Sequence, residues 1–235
     1  MKSYTLPPPF IDAPAAWRGE EISKRPDIWT RHLSDAEVSE LEQAAERYLA
    51  KHETIGAITA EEFVLPHLRP YQAGLRRTMK SGIGYQLDKG VPVERYSLAE
   101  AAVLFCGIGA HLGHARSLNA QGHILGHVRD VGADAETPTT RIYQTSQRQT
   151  FHTDSADVVG LLCLKDAKRG GDSLLVSTVT VYNEMFRLRP DLATLLFEPI
   201  ATDRRGEVPE GAKPYFEIPV FNWLDDALTG IYQRQ

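Results

Sequence analysis

An imidazole and a carboxylate stand two positions apart in Gln149-Thr150-Phe151-His152-Thr153-Asp154. On an extended strand, side chains alternate between faces, so His152 and Asp154 point to the same side. Both can then reach one metal ion. With a second histidine from elsewhere in the fold, they make the two-histidine, one-carboxylate face that suits non-heme Fe(II) and O2 chemistry. Three protein donors on one face leave positions open for a chelating co-substrate and for O2. The bare tripeptide is short, and by itself it reads more economically as a hydrogen-bonded His–Asp pair at a polar strand end.

The other histidines offer a second candidate. His111 and His114 are three apart near a helix end, and His123 and His127 are four apart in a stretch that reads as a strand; each pair shares a face. Together they could form a four-histidine zinc site. Structural zinc sites usually include cysteine, however, and neither Cys106 nor Cys163 sits at ligand spacing. Hydrogen-bonded or surface histidines are the better expectation. The basic residues Arg69, Arg76, Arg77 and Lys80 read as a solvated helix face, with guidance of an acidic substrate as the alternative.

Elements must position these residues. Residues 1–30 are rich in proline and tryptophan and read as an extended arm, pinned to a domain over 31–235 by Phe10, Trp17 and Trp29. Ser34-Asp35-Ala36-Glu37 is a capping box, and Val38, Leu41, Ala45, Tyr48 and Leu49 supply an apolar stripe, which predicts a helix to about Lys51. A second box, Ser97-Leu98-Ala99-Glu100, opens an apolar helix to about His111. Gly82–Leu87 reads as a short strand between them. From residue 122 the pattern turns β-rich. Strands are expected at Ile124–Val128, Arg141–Tyr143, Val158–Leu164 and Ser173–Ser177, with the turn Lys168–Asp172 before the last. The apolar run Val158–Leu164 is that of a strand buried on both faces. Thr178–Leu188 reads as a helix, Pro190 opens another to about Phe197, and Phe216–Phe221 is a late strand with Pro219 marking an edge. Helices first and strands after argue for one α+β domain.

Composition narrows the partners. The net charge of −5 speaks against a nucleic-acid partner. No apolar run reaches the ~18 residues of a membrane span, and the N-terminus lacks a signal-peptide core, so no membrane role is expected. Cys106 and Cys163 lie in apolar segments and read as buried, reduced thiols of a cytoplasmic protein.

The order of motifs carries more than any one of them. His152-Thr153-Asp154 is followed by the apolar run, then Gly170-Gly171-Asp172-Ser173, then Val181-Tyr182-Asn183-Glu184-Met185. This resembles the taurine dioxygenase (TauD/TfdA) family of Fe(II)/2-oxoglutarate-dependent oxygenases. Leu98–Gly113 and Gln121-Gly122-His123-Ile124 extend the resemblance upstream, so that it covers about residues 30–222. The resemblance implies a double-stranded β-helix, or jelly roll, with flanking helices. It implies His152 and Asp154 as iron ligands, Ser173 as a hydroxyl contact for 2-oxoglutarate, and Arg148 and Gln147 as substrate contacts. The implied reaction is hydroxylation of an unactivated C–H bond of a small molecule, with succinate and CO2 as co-products. Because Asp154 is kept, its position on iron is not open to halide, and halogenation is disfavoured.

One departure matters. The family pattern has a second histidine well downstream and, soon after it, an arginine that pairs with the far carboxylate of 2-oxoglutarate. Here all eight histidines lie at or before His152, and Arg204, Arg205 and Arg234 follow no such histidine. The expectation is a jelly roll whose last strands lie beyond this sequence, with exposed strand edges that invite a homo-oligomer. The alternative is a non-catalytic binding or scaffold member of the same fold.

Overall fold

The computed structural model describes residues 7–118, 122–134, 142–204, 208 and 211–232. Two hydrophobic clusters organise it.

The first cluster is helical. Helix α1 (Gly19–Ile22) lies in the arm, and α2 spans Asp35–Leu49. The expected capping box is present: the Ser34 hydroxyl accepts from the Glu37 N–H, and the Glu37 carboxylate accepts from the Ser34 N–H. Helix α3 (Arg69–Ser81) follows, and α4 (Leu98–Ala110) starts from the second capping box, Ser97 with Glu100. Leu41, Ala44, Ala45 and Tyr48 from α2 meet Val103 and Leu104 from α4, with Phe63, Leu65 and Leu68 from the connection between α2 and α3. Gly107 of α4 lies against the buried Phe63 ring, where an added Cβ would stand 2.5 Å from ring carbons. A helix-interior glycine costs about 1 kcal/mol against alanine, and here close approach requires it.

A buried carboxylate fixes α3. Glu40 of α2 accepts hydrogen bonds from the backbone N–H groups of His67 (2.8 Å) and Leu68 (2.9 Å), at the start of α3. Those donors belong to a helix N-terminus, which favours negative charge. Strand β1 (Thr30–His32) pairs in parallel with β2 (Leu87–Lys89). The strand expected over Gly82–Leu87 therefore starts only at its last residue. Gly82 caps α3, and Gly84, at φ +85°, turns the chain before it can pair.

The second cluster joins the arm to the later elements. Helices α5 (Thr178–Leu188) and α6 (Pro190–Leu195) follow the sequence pattern. Strands β3 (Ile200–Asp203) and β4 (Tyr215–Ile218) form one antiparallel pair. Strands β5 (Phe221–Leu224) and β6 (Ala227–Gly230) form another, closed by Asp225 and Asp226 at φ 49° and 59°. Positive φ at both turn residues matches the right-handed twist of a tight hairpin. The single late strand expected over Phe216–Phe221 is two strands, divided at Pro219, which has no N–H for a ladder. Ile11, Val179, Tyr182 and Phe221 are the buried centre of this cluster.

The arm is held as expected at its tryptophans. The Trp17 indole N–H donates to the Ile83 carbonyl, that of Trp29 donates to the Ile22 carbonyl, and both rings pack on Tyr85. Phe10 does not pin the arm: it is 65% exposed, and its neighbour Ile11 takes the buried place.

The stretch between α4 and α5 departs most from expectation. Its described residues contain no strand or α-helix, only a 3-10 turn at Ile142–Gln144. The strands expected at Ile124–Val128, Val158–Leu164 and Ser173–Ser177 are not formed. That at Arg141–Tyr143 is replaced by the 3-10 turn, with Arg141 outside the described residues. Val158–Leu164 is not doubly buried: Leu161 is 73% exposed, and Cys163 is exposed too. Strands need a neighbour for their N–H and C=O groups, and no described segment pairs with this run. Ser177 is buried for another reason, as the N-cap of α5, where its hydroxyl accepts from the Thr180 N–H. The turn is met in kind, since Gly170 and Gly171 both take positive φ. The described residues are thus α+β, with three two-stranded sheets.

Candidate functional site

His152 and Asp154 lie in an irregular but held segment. Thr153, between them, donates its backbone N–H to the Tyr232 carbonyl at 2.8 Å. Its hydroxyl accepts from the Tyr232 N–H at 2.9 Å. Tyr232 follows β6, so the hairpin of the second cluster supports the segment.

The two side chains fall on one side. His152 Nε2 is 3.9 Å from Asp154 Oδ1, with the side chains 34% and 56% exposed. His152 Nδ1 lies 2.8 Å from the Thr150 carbonyl oxygen. A carbonyl only accepts, so Nδ1 carries a proton, and the Gln149 amide nitrogen 3.1 Å from Nε2 is a donor, which makes Nε2 the accepting nitrogen of the ring. The Nε2 lone pair faces Asp154 and the Gln149 side-chain amide. A neutral imidazole whose far nitrogen is anchored to a carbonyl is the form that binds metals. Donors bound to one ion at about 2.1 Å and at right angles stand about 3 Å apart. Small rotations of two exposed side chains close the remaining gap, and Gln149 must yield the lone pair. The pair therefore fits two positions of a three-donor metal face. Among the described residues, no group of three or more His, Cys, Asp and Glu side chains is gathered to hold a metal.

The remaining candidates lie apart from this pair. Ser173 is exposed in the approach to α5, and the described residues give it no hydrogen bond to His152 or Asp154. Arg148 and Gln147 are exposed just upstream, with the Gln147 N–H donating to the Thr145 hydroxyl. The four-histidine arrangement is not assembled: His111 is taken up by the first cluster, its Nε2 2.6 Å from the Phe63 carbonyl oxygen. Cys106 and Cys163 are free thiols, and desolvation is the main cause that pushes both up from the ordinary thiol value.

A second polar cluster is structural in its geometry. The Tyr71 hydroxyl donates to Asp88 at 2.6 Å, the Arg31 guanidinium lies over the Tyr71 ring, and Arg31 pairs with Glu37. Burial, chiefly, pushes both the Tyr71 phenol and the Asp88 carboxyl up from their ordinary values. These contacts tie α3 to β2 and β1 to α2. Sequence reasoning singled out neither Gln149 nor the Thr153–Tyr232 contact. The first had a signal, as a polar residue three before the histidine; the second joins residues 79 apart and had none.

Comparison with known proteins bears on this segment. The model of the taurine catabolism dioxygenase TauD, TfdA family matches residues 45–233, a span that contains His152, Asp154 and Ser173. The chain is 30% identical over 205 residues to FR-33289 synthase of Streptomyces rubellomurinus (strain ATCC 31215), covering 87% of this chain and 60% of that protein. It is 29% identical over 225 residues to the taurine hydroxylase-like protein SAT17 of Stachybotrys chartarum (strain CBS 109288 / IBT 7711), covering 93% of this chain and 57% of that protein. The chain spans about three-fifths of the length of these curated relatives.

Proposed function

The chain belongs to the TauD/TfdA family of dioxygenases, and from that premise we propose that it is the metal-binding part of an Fe(II)- and 2-oxoglutarate-dependent oxygenase. The observation that carries the proposal is the His152–Asp154 pair. Its Nε2 lone pair and its carboxylate face one another at 3.9 Å, inside the span matched by the family. His152 and Asp154 would hold Fe(II), which with 2-oxoglutarate supplies activation of O2 for hydroxylating a C–H bond of a small molecule, yielding succinate and CO2.

The residues of this chain have separable tasks. The Thr150 carbonyl keeps the His152 proton on Nδ1, so that Nε2 can ligate once the Gln149 amide yields its lone pair. Asp154 adds negative charge that offsets the cation and fills a position that halide would otherwise take. The Ser173 hydroxyl is assigned to a carboxylate of 2-oxoglutarate. Arg148 and Gln147, exposed beside the pair, are assigned to the substrate. The names of the two relatives, a synthase and a hydroxylase-like protein, support a small organic substrate. The jelly roll, a cytoplasmic location and a homo-oligomer belong to the same proposal. No helix among the described residues is long and apolar enough to cross a membrane.

A non-catalytic member of the same fold is the second reading. In its favour, no third donor side chain joins the pair among the described residues. Succinate formation from 2-oxoglutarate with Fe(II), on the full-length protein, separates the two. The oxygenase reading expects succinate that His152→Ala abolishes. Absence of succinate, or formation unchanged by that substitution, overturns it.

A further inference from the structure

A pair of ligands at positions i and i+2 shares a direction only while the residue between them stays extended. In this chain that residue is Thr153, and it is less exposed than either neighbour. It meets Tyr232 through both its backbone and its hydroxyl. Its N–H donates to the Tyr232 carbonyl, and its hydroxyl accepts from the Tyr232 N–H. In a regular antiparallel pair, two residues exchange two backbone bonds. Here the hydroxyl stands in for the missing backbone carbonyl and completes the exchange in a segment that lacks a ladder. The β-branched side chain also restricts χ1 and suits extended backbone.

The other end of this clasp is fixed. The Ile231 N–H donates to the Val220 carbonyl at 2.8 Å, just before Tyr232. β6 is zipped to β5 over four residue pairs. Gly230, the last residue of β6, lies so close to α5 that an added Cβ would stand 2.8 Å from Thr178 Cγ2. A continuous path of contact thus runs from the second cluster through the hairpin and Tyr232 to the backbone between the two ligands.

We propose that Thr153 is a positioning residue, whose hydroxyl locks the register of the ligand segment against Tyr232 and holds His152 and Asp154 facing one cation. The proposal rests on the metal-site reading above. Thr153→Val keeps volume, β-branching and the backbone N–H, and removes the hydroxyl, which accepts from the Tyr232 N–H and lies 3.5 Å from the Tyr232 carbonyl as a donor. Thr153→Ser keeps the acceptor and drops the methyl. A packing role would be preserved by valine and weakened by serine, whereas the hydroxyl role reverses that order.

The test is anaerobic titration of the full-length protein with Co(II), followed by visible absorption, with hydrogen exchange at the Tyr232 amide measured alongside. Residues that orient metal ligands change affinity by about 10–100-fold when removed. Thr153→Val is expected to bind Co(II) about tenfold more weakly and to lose protection at the Tyr232 amide, while Thr153→Ser stays close to wild type in both. Wild-type affinity in Thr153→Val, or a serine variant as weak as the valine variant, overturns the proposal. If Thr153→Val does not fold, exchange in Thr153→Ser decides: retained protection at Tyr232 supports the hydroxyl lock, and lost protection refutes it. His152→Ala is titrated in parallel. Undiminished Co(II) affinity in that variant overturns the metal-site reading itself, an outcome distinct from failure of the Thr153 clasp.

Discussion

Residues 33–110 and residues 122–176 both carry apolar runs, yet they end in opposite conditions. In the first region Leu41, Tyr48, Phe63, Val103 and Leu104 are sealed inside. In the second, Val158, Val159, Leu161, Leu174, Leu175 and Val176 stand exposed. The difference lies in where hydrogen-bond partners come from. A helix bonds its own backbone four residues away, so α2 and α4 need only each other to bury a stripe. A strand must borrow its partner from elsewhere in the chain. The candidate metal-binding pair sits in the second kind of region, and a hairpin from the second cluster holds it at Thr153.

The largest expected effect lies in the closed region. Phe63→Ala removes a fully buried ring from between α2 and α4 and should cost about 3–5 kcal/mol in urea unfolding. A cost below about 1 kcal/mol would mean that this core is not closed. Next comes Glu40→Ala, which strips the acceptor from two backbone donors at the start of α3. A charged, buried acceptor of this kind is worth about 2–3 kcal/mol, and neutral behaviour of the variant would show that those donors find another partner.

A pH titration probes the α2 cap. The Glu37 carboxyl is held below the ordinary value of 4.5, first by its bond from the Ser34 N–H and further by Arg31. A depressed folded-state value means that the contribution to stability is present above the unfolded value and is lost as pH falls through the folded one. Wild-type stability should therefore decline as pH drops below about 4.5, and Glu37→Gln should flatten part of that decline. Identical acid limbs for the two proteins would contradict this. The smallest effect is expected at Leu161→Ala. Exposed positions away from special features change stability by less than about 0.5 kcal/mol. A cost above 2 kcal/mol would place Leu161 in a buried core and erase the contrast between the regions.

The same contrast governs what could be read from the sequence. Ser34 with Glu37 and Ser97 with Glu100 signal α2 and α4 within a residue or two, because capping boxes are local. Helix α5 follows from its own apolar spacing. Val158–Leu164 announces a need for burial and says nothing about what supplies it, so the expected strand failed to form among these residues. Pro219 suggests an edge in the sequence, whereas in the structure it lies between β4 and β5, where its missing N–H ends the ladder. At the candidate site, the i, i+2 spacing predicts that His152 and Asp154 face one way on a strand; they do approach to 3.9 Å, although the segment is irregular. The clasp from Tyr232 does not follow from spacing, because it depends on a contact 79 residues away. Nothing local marks Glu40 as buried, because its donors, the His67 and Leu68 N–H groups, lie 27 and 28 residues on.

The proposed role of the whole site reduces to one question: whether the imidazole of His152 and the carboxylate of Asp154 share a cation. Anaerobic equilibrium titration of the full-length protein with Fe(II), in wild type, His152→Ala and Asp154→Ala, answers it. The expected result is one Fe(II) per chain in the wild type, lost in both variants while their folds are retained. Wild-type Fe(II) affinity in either variant would contradict it.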